Sequence, residues 1–89
     1  MKRWRLVVAP SVERTLARLP EKVATAIVEF LAGPLLDDPK RTGHPLRREL
    51  EGLWAARRGP YRVIYELDER AREIRVLRVD HRADVYRPR

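Results

Sequence analysis

Tyr61-Arg62-Val63-Ile64-Tyr65-Glu66-Leu67, then Asp68-Glu69-Arg70-Ala71, then Arg72-Glu73-Ile74-Arg75-Val76-Leu77-Arg78-Val79-Asp80: this run decides the fold. Its two flanks are rich in β-branched and aromatic residues, the types that fit a pleated, half-buried surface. The polar break between them predicts a hairpin turn. Polar side chains interrupt both flanks: Arg62 and Glu66 on the first, Arg75 and Arg78 on the second. A sheet that packs one face and solvates the other has this composition.

Working outward, residues 52–58 have weaker strand character and join residues 61–67 through Gly59-Pro60, which forces the chain to reverse. Residues 37–45 hold turn chemistry throughout: Asp38-Pro39, Thr42-Gly43 and His44-Pro45. At the other end, residues 4–8 predict a first strand, with Trp4, Leu6 and Val8 on one face. Pro10 and Ser11 stop it, with Ser11 as helix N-cap and Glu13 in the favourable first turn. Val12, Leu16 and Leu19 make the apolar stripe of a short helix. Pro20 ends that helix and opens a second, lined by Val23, Ile27, Phe30 and Leu31, which Gly33-Pro34 breaks or kinks. The order is β-α-α-β-β-β with a short polar tail carrying Tyr86. That is an α+β architecture: an N-terminal strand, a helical hairpin, and a three-stranded antiparallel meander in one small sheet. Residues 1–89 are expected to form one domain, since nothing in a chain of this length divides into two cores.

Charge narrows the function. The net charge is +7, and lysines occur only at positions 2, 22 and 40, so nearly all of the basic side chains are arginine. Residues 1–40 carry +2 and residues 41–89 carry +5, so the excess sits in the half expected to be sheet. Arginine grips phosphate with a planar fork, and a polyanionic partner, nucleic acid or acidic protein, follows. The absence of cysteine excludes a disulfide frame and thiolate metal sites. His44 and His81 are the only histidines, and no set of His, Asp and Glu has ligand spacing, so neither a metal nor a cofactor is expected. No apolar run approaches the ~20 residues of a membrane span, and the basic start lacks the apolar segment of a signal peptide. The expectation is a cytoplasmic protein without a membrane partner.

Two clusters carry candidate chemistry. Arg57, Arg58 and Arg62 surround the Gly59-Pro60 turn, where Arg57 and Arg62 could clamp one phosphate from adjacent strands. They could equally form cross-strand ion pairs with Glu51, Glu66 or Glu73, each worth under ~1 kcal/mol. His81, Arg82 and Tyr86 gather at the end of the last strand. There a histidine can move a proton near neutrality and a tyrosine can stack on a base. His81 could instead pair with Asp80 or Asp84, and Tyr86 could anchor the tail. Arg62 and Arg82 share a face only if the hairpin register sums to an even number. Trp4 and Trp54 are read as packing residues.

The pattern Leu16-x-x-Leu19-Pro20, Pro39-x-x-x-Gly43-x-x-Leu46, Leu50-x-Gly52-Leu53-Trp54, Arg57-x-Gly59-x-Tyr61-Arg62-Val63-Ile64-Tyr65 and His81-Arg82-x-x-x-Tyr86 resembles the RelE/ParE toxin superfamily over nearly the whole chain. Its wording is closest to the RelE-type toxins of actinobacteria. The resemblance implies a microbial-RNase-like domain that enters the ribosome and cuts messenger RNA without a metal, leaving a 2′,3′-cyclic phosphate and a 5′-OH. It also implies an acidic antitoxin partner, whose complex with the toxin binds operator DNA. By the same resemblance Arg62 and Arg82 stabilise the phosphorane, Tyr86 orients the nucleotide, and His81 is nominated as acid or base. Arg57, Arg58 and Arg78 contact RNA. Leu53 and Ala55 stand where the best-known RelE carries two lysines, so proton transfer must run differently here. The alternatives are a ParE-like toxin that binds gyrase without catalysis, and a regulatory subunit with weak or lost activity.

Overall fold

The computed structural model describes residues 3–82. The strand β1 (Arg5–Val8) leads into α1 (Pro10–Arg18) and α2 (Glu21–Phe30). After a π-helical turn at Leu31–Leu35 come α3 (Pro39–Thr42), the two-residue strand β2 (His44–Pro45) and a 3-10 turn at Arg48–Leu50. The strands β3 (Leu53–Arg58), β4 (Tyr61–Asp68) and β5 (Glu73–His81) follow. The class is the expected α+β, and the strands form one five-stranded sheet in the order β1-β5-β4-β3-β2. β1 joins the meander by lying parallel to β5, with Leu6 beside Ile74 and Val8 beside Val76.

The helices cover one sheet face. Val12, Ile27, Phe30, Leu31 and Leu35 from the helical side pack on Ala56, Val63, Tyr65, Ile74, Val76 and Val79. Trp4 and Trp54 pack against the same cluster, and the Trp54 ring lies 6.4 Å from that of Tyr65. Both tryptophans are therefore the packing residues that the sequence suggests.

Local details differ from expectation for identifiable reasons. α1 starts two residues earlier, with Ala9 as its cap and Pro10 in the first turn, so Ser11 is inside the helix rather than capping it. Proline's fixed φ suits that first helical position. Pro20 is the cap residue of α2, and Glu21 begins the helix proper. Gly33-Pro34 does not break the chain: helical winding continues as a π turn with Pro34 inside it. Proline has no N–H to give, and a locally wider turn accommodates its ring. His44-Pro45, read as turn chemistry alone, adds the short edge strand β2 against β3.

One bulge has a large effect. Ile64 of β4 faces Arg78 of β5, but the next residue, Tyr65, faces Val76, so Leu77 is the extra residue. Arg75 and Arg78 are three apart and would otherwise project to opposite faces. The inserted residue resets the alternation and places both on the open face.

Tyr65 ties the sheet to α3. It is fully buried, and its hydroxyl donates to the Pro39 carbonyl at 2.6 Å. Burial pushes its phenol up from 10.0 to about 12. Above pH 10 the unfolded chain releases this proton while the folded chain holds it, so stability is intact below pH 10 and falls as the pH rises toward 12. Urea unfolding should therefore show lower stability at pH 11 than at pH 8, and Tyr65→Phe should shrink that difference.

Candidate nucleic-acid interface and nuclease site

The candidate site is the end of the open face at the β3–β4 turn. Arg58 pairs with Tyr61, leaving Gly59-Pro60 as a two-residue loop. Gly59 adopts φ +59°, the requirement at the first position of a II′ turn, and Pro60 suits the second. This tight loop fixes Arg57 directly opposite Arg62. Arg62 in turn lies opposite Asp80, and the Arg82 N–H, just past the end of β5, donates to the Pro60 carbonyl at 2.7 Å. The paired numbers above the bulge sum to an even value. By strand parity Arg57, Arg62 and Asp80 therefore share the face away from the helices, and Arg82 follows immediately after the end of β5, in helical conformation.

Like charges directly opposite each other repel, and a cross-strand pair brings Cβ atoms within roughly 4.5–5.5 Å. The carboxylate opposite Arg62, that of Asp80, is engaged by Arg78 at 2.8 Å. Among the described residues, none of Arg57, Arg58, Arg62 and Arg82 forms an ion pair with a carboxylate. The ion pairs of Arg57 and Arg62 considered from sequence do not form among the described residues, and Glu73 is taken by Arg5 at 2.5 Å and by Arg75 at 3.2 Å. Asp68 also holds Arg75, at 2.8 Å, and its carboxyl sits below the usual range chiefly because the Ala71 N–H donates to it. The open face is thus electrically uneven. Its hairpin-turn end pairs Arg75 and Arg5 with carboxylates, while at the β3–β4 end Arg57 and Arg62 stand opposite each other without an ion pair among the described residues.

The other named residues divide between faces. Arg78 is exposed on the open face, where it pairs with Asp80 at 2.8 Å. Arg58 has the parity of the helical face and lines a cleft of ≈ 240 Å³ with Lys22, Val23, Ile27, Pro60 and Tyr61. His81 pairs with Tyr61 on that side, its ring meeting the tyrosine edge-on at 5.1 Å. Register therefore sets His81 at the rim of the arginine face rather than on it. Tyr86 lies outside the described residues. Among the described residues no group of three His, Asp or Glu side chains is placed to hold a metal.

Two further titratable groups reach this face that sequence reasoning passed over. His44 of β2 lies directly opposite Ala55, in the same sheet row as Ile64 and Arg78. Asp80 is directly opposite Arg62, its side chain 22% exposed. A two-residue strand has no periodicity to detect, and a cross-strand neighbour is invisible until the register is known. Leu53 and Ala55 have the same parity as Arg57, so the slots without lysines open onto the arginine face.

Comparison with known proteins shows the family and the fold. The family described as "ParE toxin of type II toxin-antitoxin system, parDE" matches residues 6–86. The chain is 45% identical over 84 residues to Toxin RelE of Mycobacterium tuberculosis, covering 94% of this chain and 87% of that protein. It is 51% identical over 74 residues to Toxin RelG of the same organism, covering 83% and 85%. Among solved structures it is similar to the toxin–antitoxin complex RelBE2 of M. tuberculosis, with a TM-score of 0.86 and 42% identity. That match covers 91% of this chain and all of the matched one.

Proposed function

Because the chain belongs to the RelE/ParE family of type II toxin–antitoxin toxins, we propose that it is an endoribonuclease that cuts messenger RNA on the ribosome. The carrying observation is the Arg57–Arg62 pair: two arginines directly opposite in register on an open sheet surface, neither ion-paired with a carboxylate among the described residues. A phosphate entering that gap converts a repulsion into two charge-assisted contacts.

The reaction is transesterification within the substrate. The ribose 2′-oxygen attacks the adjacent phosphorus as a base removes its proton. The P–O5′ bond then breaks, and an acid protonates the departing 5′-oxygen. The products are a 2′,3′-cyclic phosphate and a 5′-OH end. Arg62 and Arg82 stabilise the pentacoordinate dianion, where charge grows most, and Arg57 holds the backbone. Arg78 and Arg58 extend the basic surface, and Tyr86 orients the nucleotide. Apolar Leu53 and Ala55 offer no base. Proton transfer falls to His44 and Asp80 on the arginine face, with His81 at its rim, and His44 is the titratable group set beside the Ala55 slot.

An acidic antitoxin is the natural neutralising partner for a chain of net charge +7, and a RelE-like chain in complex with its antitoxin supports this. The pair together would bind operator DNA. Induction of the chain alone should arrest growth within minutes and deplete translated mRNA while plasmid supercoiling stays normal. Arrest with relaxed plasmid and intact mRNA would instead favour the gyrase-binding mode. No arrest at all would favour a regulatory subunit.

A further inference from the structure

At the end of the sheet farthest from Arg57 and Arg62, a second cleft opens between the start of β1 and the β4–β5 turn. It is lined by Arg3, Arg5, Arg70, Ala71 and Arg72, with a volume of ≈ 370 Å³. Four of its five lining residues are arginine, and Ala71 alone supplies an apolar side chain. The carboxylates beside it are already shared. Glu69 serves Lys40 and Arg72, Glu73 serves Arg5 and Arg75, and Asp68 serves Arg75. Six cations therefore stand against three anions among these described residues. Arg3 and Arg70 form no ion pair within the described residues.

The backbone adds a separate observation. Arg72 adopts φ +56°, a left-handed conformation that hairpin turns ordinarily assign to glycine or asparagine. Its guanidinium lies 4.2 Å from the centre of the Trp4 ring, which fixes its direction beside the cleft. The left-handed backbone closes the turn, and the ring contact holds the Arg72 guanidinium in place beside the cleft.

We propose that this cleft is a second phosphate-binding site, which grips the backbone of the same RNA whose scissile phosphate sits between Arg57 and Arg62. This rests on the reading of the open face as an RNA surface. β4 runs the length between the two sites, from Tyr61 to Asp68, which is ~23 Å at ~3.3 Å per residue. A stacked strand covers that distance in about seven nucleotides, at ~3.4 Å each. An acidic protein segment is the weaker occupant, because a peptide anchors through apolar side chains and this cleft offers them no floor.

The test uses the full chain and two 2′-O-methyl RNAs that cannot be cleaved, one of about four nucleotides and one of about twelve, followed by fluorescence anisotropy across a salt series. Only the longer RNA spans both sites. The double variant Arg3→Ala, Arg70→Ala unpairs no described carboxylate, so its melting temperature should match the parent's. It should weaken binding of the long RNA roughly tenfold at low salt and reduce the salt slope by about 1.4, the value for two phosphate contacts on a single strand. Binding of the short RNA should not change. Arg57→Ala with Arg62→Ala should weaken both RNAs. If the Arg3/Arg70 variant binds the long RNA as the parent does, or loses both RNAs equally, the second site is overturned. If it binds the long RNA normally but loses an acidic peptide, the cleft belongs to a protein and the proposal also fails. If neither pair of substitutions affects either RNA, the RNA surface itself is wrong.

Discussion

Replacing Arg62 with alanine is expected to slow RNA cleavage by about 100- to 1,000-fold, the usual consequence of removing one preorganised charge from a transition state. The fold should be as stable as the parent or slightly more so, because Arg62 faces Arg57 across the strands and forms no ion pair within the described residues. This combination distinguishes the account. A structural arginine would lose stability when removed, whereas a charge held for substrate would not. Arg62→Lys should recover only part of the rate, since an ammonium restores the charge but not the two-pronged grip. Single-turnover cleavage and thermal melting of the three proteins give the comparison. A destabilised alanine variant with nearly full activity would refute it.

Gly43→Ala is expected to cause the largest loss of stability. A Cβ at this position would collide with the Tyr65 hydroxyl and lie 2.6 Å from the Ala55 carbonyl oxygen. The backbone of β3 cannot retreat without breaking its pairing with β4, and Tyr65 cannot move without losing its bond to Pro39. Overpacking and one lost buried hydrogen bond together cost about 2–4 kcal/mol. In a domain of this size that lowers Tm by roughly 10–25 °C. Gly33→Ala is the control, because no atom lies within 4 Å of its added Cβ. The double variant Gly43→Ala, Tyr65→Phe should be less destabilised than the two single effects combined, since the phenylalanine removes the colliding oxygen. Additive losses would show that the hydroxyl is not the obstacle.

The hairpin around residues 61–80 and the apolar stripe of α2 were legible because alternation and helical period are local properties. Val23, Ile27, Phe30 and Leu31 line the core as their spacing predicts. The relation between strands was not legible. Parity along β4 and β5 is readable, but which residue of one meets which of the other depends on the turn and the bulge. Leu77 gives no sign of being an extra residue, since neither glycine nor proline marks the place. The same gap concealed the role of position 80, which the register sets opposite Arg62. His44 was lost among turn residues because its strand is two residues long. Arg72 was taken as the first residue of a strand, whereas its left-handed backbone belongs to the turn. The arginines themselves were visible from the start. What the geometry adds is that Arg57 and Arg62 stand opposite each other without an ion pair among the described residues, while Arg5, Arg75 and Arg78 are each paired with a carboxylate.

The central claim is that this arginine face breaks RNA by attack of the 2′-oxygen. The most direct test is to map 5′-OH ends across cellular mRNA minutes after the chain is induced, alongside the double variant Arg62→Ala, Arg82→Ala. The account predicts new 5′-OH ends within translated frames for the parent and none for the variant. The same ends from both proteins, or growth arrest by the parent without any new ends, would contradict it.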